Sequence, residues 1–241
     1  MTVKLWLTDM IKSQFLAIAF GGPISAAILA IVQRTGQNFF YYLWLFMLGV
    51  NMLAITIYPI FIVPLFNKLT PLPPGQLKEG VEALARKLKF PLTELQVIDG
   101  SKRSAHSNAY FSGLPWKKHI VIYDTLLEKS TDKEVEAVLA HELGHWSHSH
   151  TTKLLLIGQA HIFYVFAFFS VFYKNKSLFA DFGFTDEMPI AIGFLLFGEV
   201  FSPTDAVVKI LMNMMSRSME YQAGKLNNLT DKISFTFNAC Q

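Results

Sequence analysis

Cysteine is almost missing from this 241-residue chain: one, Cys240, stands next to the last residue. That excludes an intramolecular disulfide framework and any cysteine-rich metal site. Charge is also scarce. Asp, Glu, Lys and Arg make up 16% of the residues, against about 25% in ordinary soluble domains. Hydrophobic residues reach 52% and the mean hydropathy is +0.34. By composition this is a membrane protein. The net charge is +3 with no basic cluster, so nucleic acid is not an implied partner.

The uncharged runs give the expected spans. Residues 14–32 form a 19-residue stretch interrupted by Gly21-Gly22-Pro23, which is expected to kink it. Residues 39–63 give 25 more, and residues 154–173 another 20, broken only by Gln159 and His161. Each is long enough to cross a bilayer. A fourth candidate, 188–214, carries Glu199, Asp205 and Lys209 and is apolar only in its first half. The first stretch is read as a membrane helix rather than a signal peptide, because it is too long and a second span follows at once. The polar region between the second and third stretches, residues 64–153, holds 12 Lys and Arg. The short loops hold only Arg34 and then Lys174 and Lys176. The positive charge places this region, and the N-terminus, on the cytosolic side.

The polar region opens with Thr70-Pro71-Leu72-Pro73-Pro74-Gly75, a stiff linker. Residues 76–89 read as an amphipathic helix, and 95–98 and 119–123 as short strands. Thr131-Asp132-Lys133-Glu134 fits a capping box that starts another helix, with an apolar stripe of Val135, Val138, Leu139, Leu143 and Trp146. That helix carries His141-Glu142-Leu143-Gly144-His145. Positions i and i+4 share a helix face, so both imidazoles can point at one metal ion, with Glu142 beside them as a proton acceptor. This is the spacing of a zinc hydrolase. His148 and His150 lie at offsets that do not place both on this face, so surface or supporting roles are expected for them. His161, inside an apolar stretch, is either functional or a neutral group bonded between helices. Glu199 could line an aqueous cavity. The glycosylation patterns at Asn175 and Asn228 are expected to go unused.

Four ordered blocks go further than this spacing. They are Ser107-Asn108-Ala109-Tyr110-Phe111-Ser112-Gly113-Leu114, His119-Ile120-Val121-Ile122-Tyr123-Asp124-Thr125-Leu126-Leu127, Ala137 through Trp146 around the histidines, and Ser216-Arg217-Ser218-Met219-Glu220-Tyr221-Gln222-Ala223. Together they resemble the integral-membrane zinc CAAX prenyl proteases, which process farnesylated C-a-a-X proteins at the endoplasmic reticulum. The resemblance implies one zinc ion per chain, held by His141, His145 and Glu220, with Glu142 as general base. It implies that Asn108 and Ala109 belong to an edge strand beside which an extended peptide lies, offering backbone groups with little side-chain selectivity. Glu142 would take a proton from a zinc-activated water and pass it to the leaving amine.

The chain departs from the family in two places. Gly224 stands where the family has an Asp that orients a ligand histidine, and the sequence after it does not resemble the family's continuation. The family also has further membrane helices, so an incomplete or alternatively ended version of the enzyme is expected.

The expected fold is mainly α: a multi-span helical membrane protein with an embedded α+β zinc metalloprotease unit. Membrane helices are expected at 1–63, the catalytic region at 64–153, membrane helices and the third-ligand helix at 154–223, and a divergent tail at 224–241. The expected function is removal of C-terminal CAAX tripeptides from prenylated proteins in the endoplasmic reticulum membrane. The competing readings are a membrane quality-control zinc protease and an inactive form that still binds prenylated tails.

Overall fold

The computed structural model describes residues 1–114, 117–173, 175–185 and 188–238. Cys240 and the Asn228 side chain lie outside the described residues. Ten helices are described: α1 (Val3–Leu16), α2 (Gly22–Arg34), α3 (Phe39–Ile57), α4 (Val63–Phe66), α5 (Gln76–Lys87), α6 (Asp124–Lys129), α7 (Asp132–Ser147), α8 (His150–Phe172), α9 (Lys176–Asp181) and α10 (Ile190–Asn238). Four strands accompany them: β1 (Leu69–Pro71), β2 (Leu92–Ile98), β3 (Ala109–Leu114) and β4 (Lys117–Tyr123).

Two compact units emerge. One contains residues 1–9, 53–152 and 217–241; the other contains 10–52 and 153–216. Among the described residues three helical stretches are long and apolar enough to cross a membrane: Val3–Arg34, Phe39–Phe66 and His150–Phe172. These match the first three sequence candidates. The fourth, 188–214, is not among them: it falls in the 49-residue α10, where Glu199, Asp205 and Lys209 interrupt the apolar run.

The prolines in the first two stretches are absorbed by wider helical turns. Pro23 follows a π-helical segment, Ala17–Gly21, while Pro59 lies in the first turn of another, Tyr58–Ile62, and Pro64 follows it. Proline has no N–H to give and crowds the carbonyl four residues back, so a locally widened turn relieves both problems.

In the first unit, the strands form one sheet in the order β1-β2-β4-β3. The pairs β1–β2 and β3–β4 are antiparallel, and β2–β4 is parallel. β1 was not legible beforehand. Its Thr70-Pro71 belongs to the segment read as a linker, and a three-residue strand ending in proline is tolerated at a sheet edge. One sheet face carries Leu95, Ala109, Ile120 and Ile122 against Leu77, Val81 and Ala85 of α5 and Val135, Leu139 and Leu143 of α7. The other face buries Val121 and Ile98 against Val63. The sheet therefore holds α7 on one side by an apolar layer contributed by both helices.

α7 begins as its sequence dictates. The Thr131 N–H donates to Glu134 Oε2 over 2.8 Å, completing the capping box. That hydrogen bond, with another from the Thr131 hydroxyl, holds the Glu134 carboxyl below its ordinary range. Thr131→Ala is expected to cost about 1 kcal/mol, read as a lower melting temperature of the detergent-solubilised chain. Asp124 opens α6. Burial pushes its pKa up, but the Ser101 hydroxyl and N–H and the Thr125 N–H together bring it below the usual range. A depressed folded pKa gives stability that is present above the unfolded value, about 4, and lost as pH falls through the folded one. Circular-dichroism melts should therefore show destabilisation on acidification below about pH 4, weakened in Asp124→Asn.

In the second unit the core is aromatic except for Leu43: Phe39, Phe169, Tyr173, Phe197 and Phe201 pack with it. The Trp44 indole N–H donates to the Gln159 carbonyl over 3.0 Å. His161 Nε2 lies 2.8 Å from Asp205 Oδ1, and Lys209 Nζ lies 2.6 Å from Asp205 Oδ2. His161, Asp205 and Lys209 thus partner one another, as ionisable groups in apolar surroundings tend to. Asn175 caps α9, its carboxamide oxygen accepting from the Ser177 and Leu178 N–H groups.

Candidate metal centre

His141 and His145 stand one turn apart on α7, four residues from each other, with their Nε2 atoms 3.1 Å apart. Glu220, on α10, brings its Oε2 to 3.2 Å from His141 Nε2 and 3.4 Å from His145 Nε2. Among the described residues this is the one grouping of three such side chains able to share a cation. Ligand atoms held 2.0–2.2 Å from a tetrahedral zinc sit about 3.4 Å apart. The observed spacings fit that geometry, and two imidazoles with one carboxylate are a donor set zinc accepts.

Electrostatics agree with the donor roles. Burial lowers the His145 pKa; Glu220 opposes this, while His141 and His150 add to it. The lowered pKa favours the neutral ring, whose nitrogen lone pair can ligate. Glu142 is half-buried. Burial raises its pKa, His141 lowers it, and Glu220 raises it again.

A close helix crossing seats Glu220. A Cβ placed on Gly144 would lie 3.0 Å from both Cα and the carbonyl oxygen of Ala223, and Ala223 is wholly buried. Glycine at 144 therefore lets the backbone of α10 approach α7. Gly144 and Ala223 both occur within the motif blocks, but no periodicity in either helix announces that they meet.

The two later histidines separate. His148 is exposed and its Nδ1 lies 3.0 Å from the Gly144 carbonyl oxygen. His150 is buried, 1% exposed, with Nδ1 3.0 Å from His145 Nδ1 and Nε2 3.2 Å from Gln222 Oε1. Gln222 is a second residue that the sequence reading passed over.

Asn108 and Ala109 lie at the start of β3, which is an outer strand of the sheet. The Tyr123 N–H donates to the Asn108 carbonyl, so residue 108 makes a hydrogen-bonded pair with β4. Alternation then turns the backbone groups of Ala109 and Phe111 away from β4, toward the open edge. The Ala109 N–H is met there by the Asn108 side-chain oxygen at 2.8 Å. The Ala109 side chain is buried in the layer facing α7, so only its backbone is available to a ligand.

The model of peptidase family M48 matches residues 71–228, a stretch containing every residue of the cluster. The chain belongs to peptidase family M48. A second model, CAAX prenyl protease N-terminal with five membrane helices, matches residues 1–68 of this M48 member. It is 43% identical over 256 residues to CAAX prenyl protease 1 of Saccharomyces cerevisiae, covering 100% of this chain and 56% of the relative. A homologue from Arabidopsis thaliana is 45% identical over 223 residues, covering 92% of this chain and 52% of its own length. The crystal structure of S. mikatae Ste24p superposes with a TM-score of 0.86 at 44% identity, covering 99% of this chain and 58% of that one. The chain thus spans about half the length of the relatives it matches.

Proposed function

We propose that this M48 member is a zinc metalloendopeptidase of the endoplasmic reticulum membrane that removes C-terminal tripeptides from prenylated CAAX proteins. The observation that carries the reading is the meeting of His141, His145 and Glu220 beside Glu142. The names of the relatives supply the substrate class.

His141 Nε2, His145 Nε2 and Glu220 Oε2 would hold the zinc ion. When bound, zinc acidifies a coordinated water and polarises a carbonyl. The steps that follow belong to the protein. Glu142, next to His141 on α7, accepts the proton of the attacking water as hydroxide adds to the scissile carbonyl carbon. Its raised pKa, set by partial burial, suits a group that must both take up and release a proton. It then returns that proton to the leaving nitrogen as the C–N bond breaks, giving an amine and a carboxylic acid that ionises to the carboxylate.

The open backbone of Ala109 and Phe111 would take an extended peptide as an added strand. In binding, the peptide carbonyl would replace the Asn108 side chain at the Ala109 N–H. The Asn108 carboxamide, freed from the Ala109 N–H, would then bond a peptide backbone group; Asn108→Ala is expected to raise KM with little change in kcat, since that bond is made equally in ground and transition states.

The test is cleavage of a farnesylated C-a-a-X peptide by the detergent-purified chain, with and without chelator, beside the same peptide lacking the lipid. Chelator-sensitive, lipid-dependent cleavage supports the proposal. Cleavage regardless of lipid would favour a quality-control protease, and binding without cleavage would favour an inactive prenyl-binding form.

A further inference from the structure

We propose that His150 is a positioning residue for His145, and that Gln222 fixes the tautomer of His150. This rests on the metal-binding reading of the His141, His145 and Glu220 cluster.

The turn after α7 sets up the contact. α7 ends at Ser147, and Ser149 then adopts a left-handed backbone with φ of 55° before α8 begins at His150. The Ser149 N–H returns to the Trp146 carbonyl over 2.9 Å, so the chain turns tightly. His150 is thereby placed against His145, its ring centroid 5.1 Å from the His145 ring. A non-glycine residue in this conformation costs energy, and the return it achieves is the burial of His150.

The proton inventory then has one consistent solution. His145 Nε2 faces His141 and Glu220, so a ligating His145 carries its hydrogen on Nδ1. That Nδ1–H donates to His150 Nδ1 across 3.0 Å. His150 must therefore be bare at Nδ1 and protonated at Nε2. Its Nε2–H donates to Gln222 Oε1 across 3.2 Å. Gln222 is itself oriented as an acceptor, because its Nε2 donates to Ser218 Oγ at 3.5 Å.

Ligand histidines commonly donate their second ring N–H to a carboxylate, a carbonyl or water. Here the acceptor is a buried neutral imidazole, and the chain His145–His150–Gln222 carries no formal charge. It ends on α10 two residues beyond Glu220. The helix that supplies the third donor therefore also locks the orientation of the second. If α10 shifts, Glu220 and the His145 tautomer are disturbed together.

The experiment uses the full chain in detergent and zinc alone as probe, with affinity read by competition against a chelating dye. Selective ¹⁵N-histidine labelling reports which ring nitrogen is protonated. His150→Leu keeps bulk but removes the acceptor, and its zinc affinity should fall ~10–100-fold. His150→Asn places an oxygen near the former Nδ1 and should recover most of that loss. Gln222 is exposed, so Gln222→Leu leaves the fold intact; the His150 ring should then change from pure Nε2–H to a mixture of tautomers.

Zinc affinity in His150→Leu equal to that of the parent would overturn the inference. So would equal losses in the Leu and Asn variants, or a parent His150 protonated at Nδ1. Where His150→Leu fails to fold, the ¹⁵N spectra of the parent and of Gln222→Leu decide the matter. A parent chain that binds no zinc overturns the metal-binding reading and this inference with it. A zinc-bound parent with the wrong His150 tautomer overturns this inference alone.

Discussion

Glu142→Gln should abolish cleavage of a farnesylated C-a-a-X peptide while leaving zinc bound. The two outcomes separate because Glu142 is not one of the three side chains whose donor atoms converge; those are His141, His145 and Glu220. Gln is nearly isosteric, so α7 and its packing on the sheet are undisturbed. What is lost is a proton acceptor. General acid–base groups contribute ~10²–10⁴-fold to rate, and here one carboxylate serves both uptake and release of the proton. The expected loss therefore lies at the upper end, carried by kcat rather than by KM. Burial and Glu220 both raise the Glu142 pKa, with His141 opposing them, so the wild-type group is a better base than an exposed glutamate. The measurement pairs peptide turnover with zinc content after gel filtration. Residual turnover within tenfold of the parent would remove Glu142 from the chemistry. Zinc lost along with activity would make it a structural partner of the cluster.

Much of this centre was legible because its information is local. The i, i+4 spacing of His141 and His145 needs only helical periodicity, and the capping box at Thr131 marks where that helix starts. The amphipathic pattern of α5 and the β-branched run in β4 likewise report their own burial. Glu220 is different. It lies 79 residues from His141, and only resemblance to a family singled it out of an ordinary-looking helix. For His148 and His150 the helical offsets were enough to expect surface or supporting roles, but not to tell the two apart: α7 stops at Ser147 and the tight turn at Ser149 leaves His148 exposed and buries His150 against His145. The strand β1 was hidden by its proline, whereas Glu199, Asp205 and Lys209 already marked 188–214 in the sequence as apolar only in its first half. What stayed hidden is what no local pattern carries: the strand partner of a proline-ended segment and the meeting of Gly144 with Ala223. Gly224 is an opposite case: a Cβ there would meet nothing within 4 Å. No close packing requires glycine at the position where the family resemblance leads one to expect Asp.

Gly144→Val should strip the centre of zinc although residue 144 ligates nothing. The Cβ alone would lie 3.0 Å from Ala223 Cα and O and 3.3 Å from its Cβ. Those neighbours are largely backbone, which cannot swing aside as a flexible side chain would. Alanine requires α10 to yield by a few tenths of an ångström; valine adds two further carbons and forces a larger separation. Over-packing of this kind costs ~1–3 kcal/mol, which the apolar layer between α7 and the sheet can absorb without unfolding. The cluster has less tolerance. Its donor atoms lie 3.1 to 3.4 Å apart, close to the separation that one zinc ion imposes, and a displacement near 1 Å can cost ~10²-fold in rate. Glu220 lies three residues before Ala223 on the same rigid helix, so the displacement reaches it undiminished. Zinc affinity and turnover should therefore fall together, modestly in Gly144→Ala and severely in Gly144→Val, with the far-ultraviolet spectrum unchanged. Ala223→Gly should partly rescue the alanine variant, since it removes the Cβ from the contact but not the backbone. A valine variant that binds zinc as tightly as the parent would mean that the crossing at Gly144 does not place Glu220.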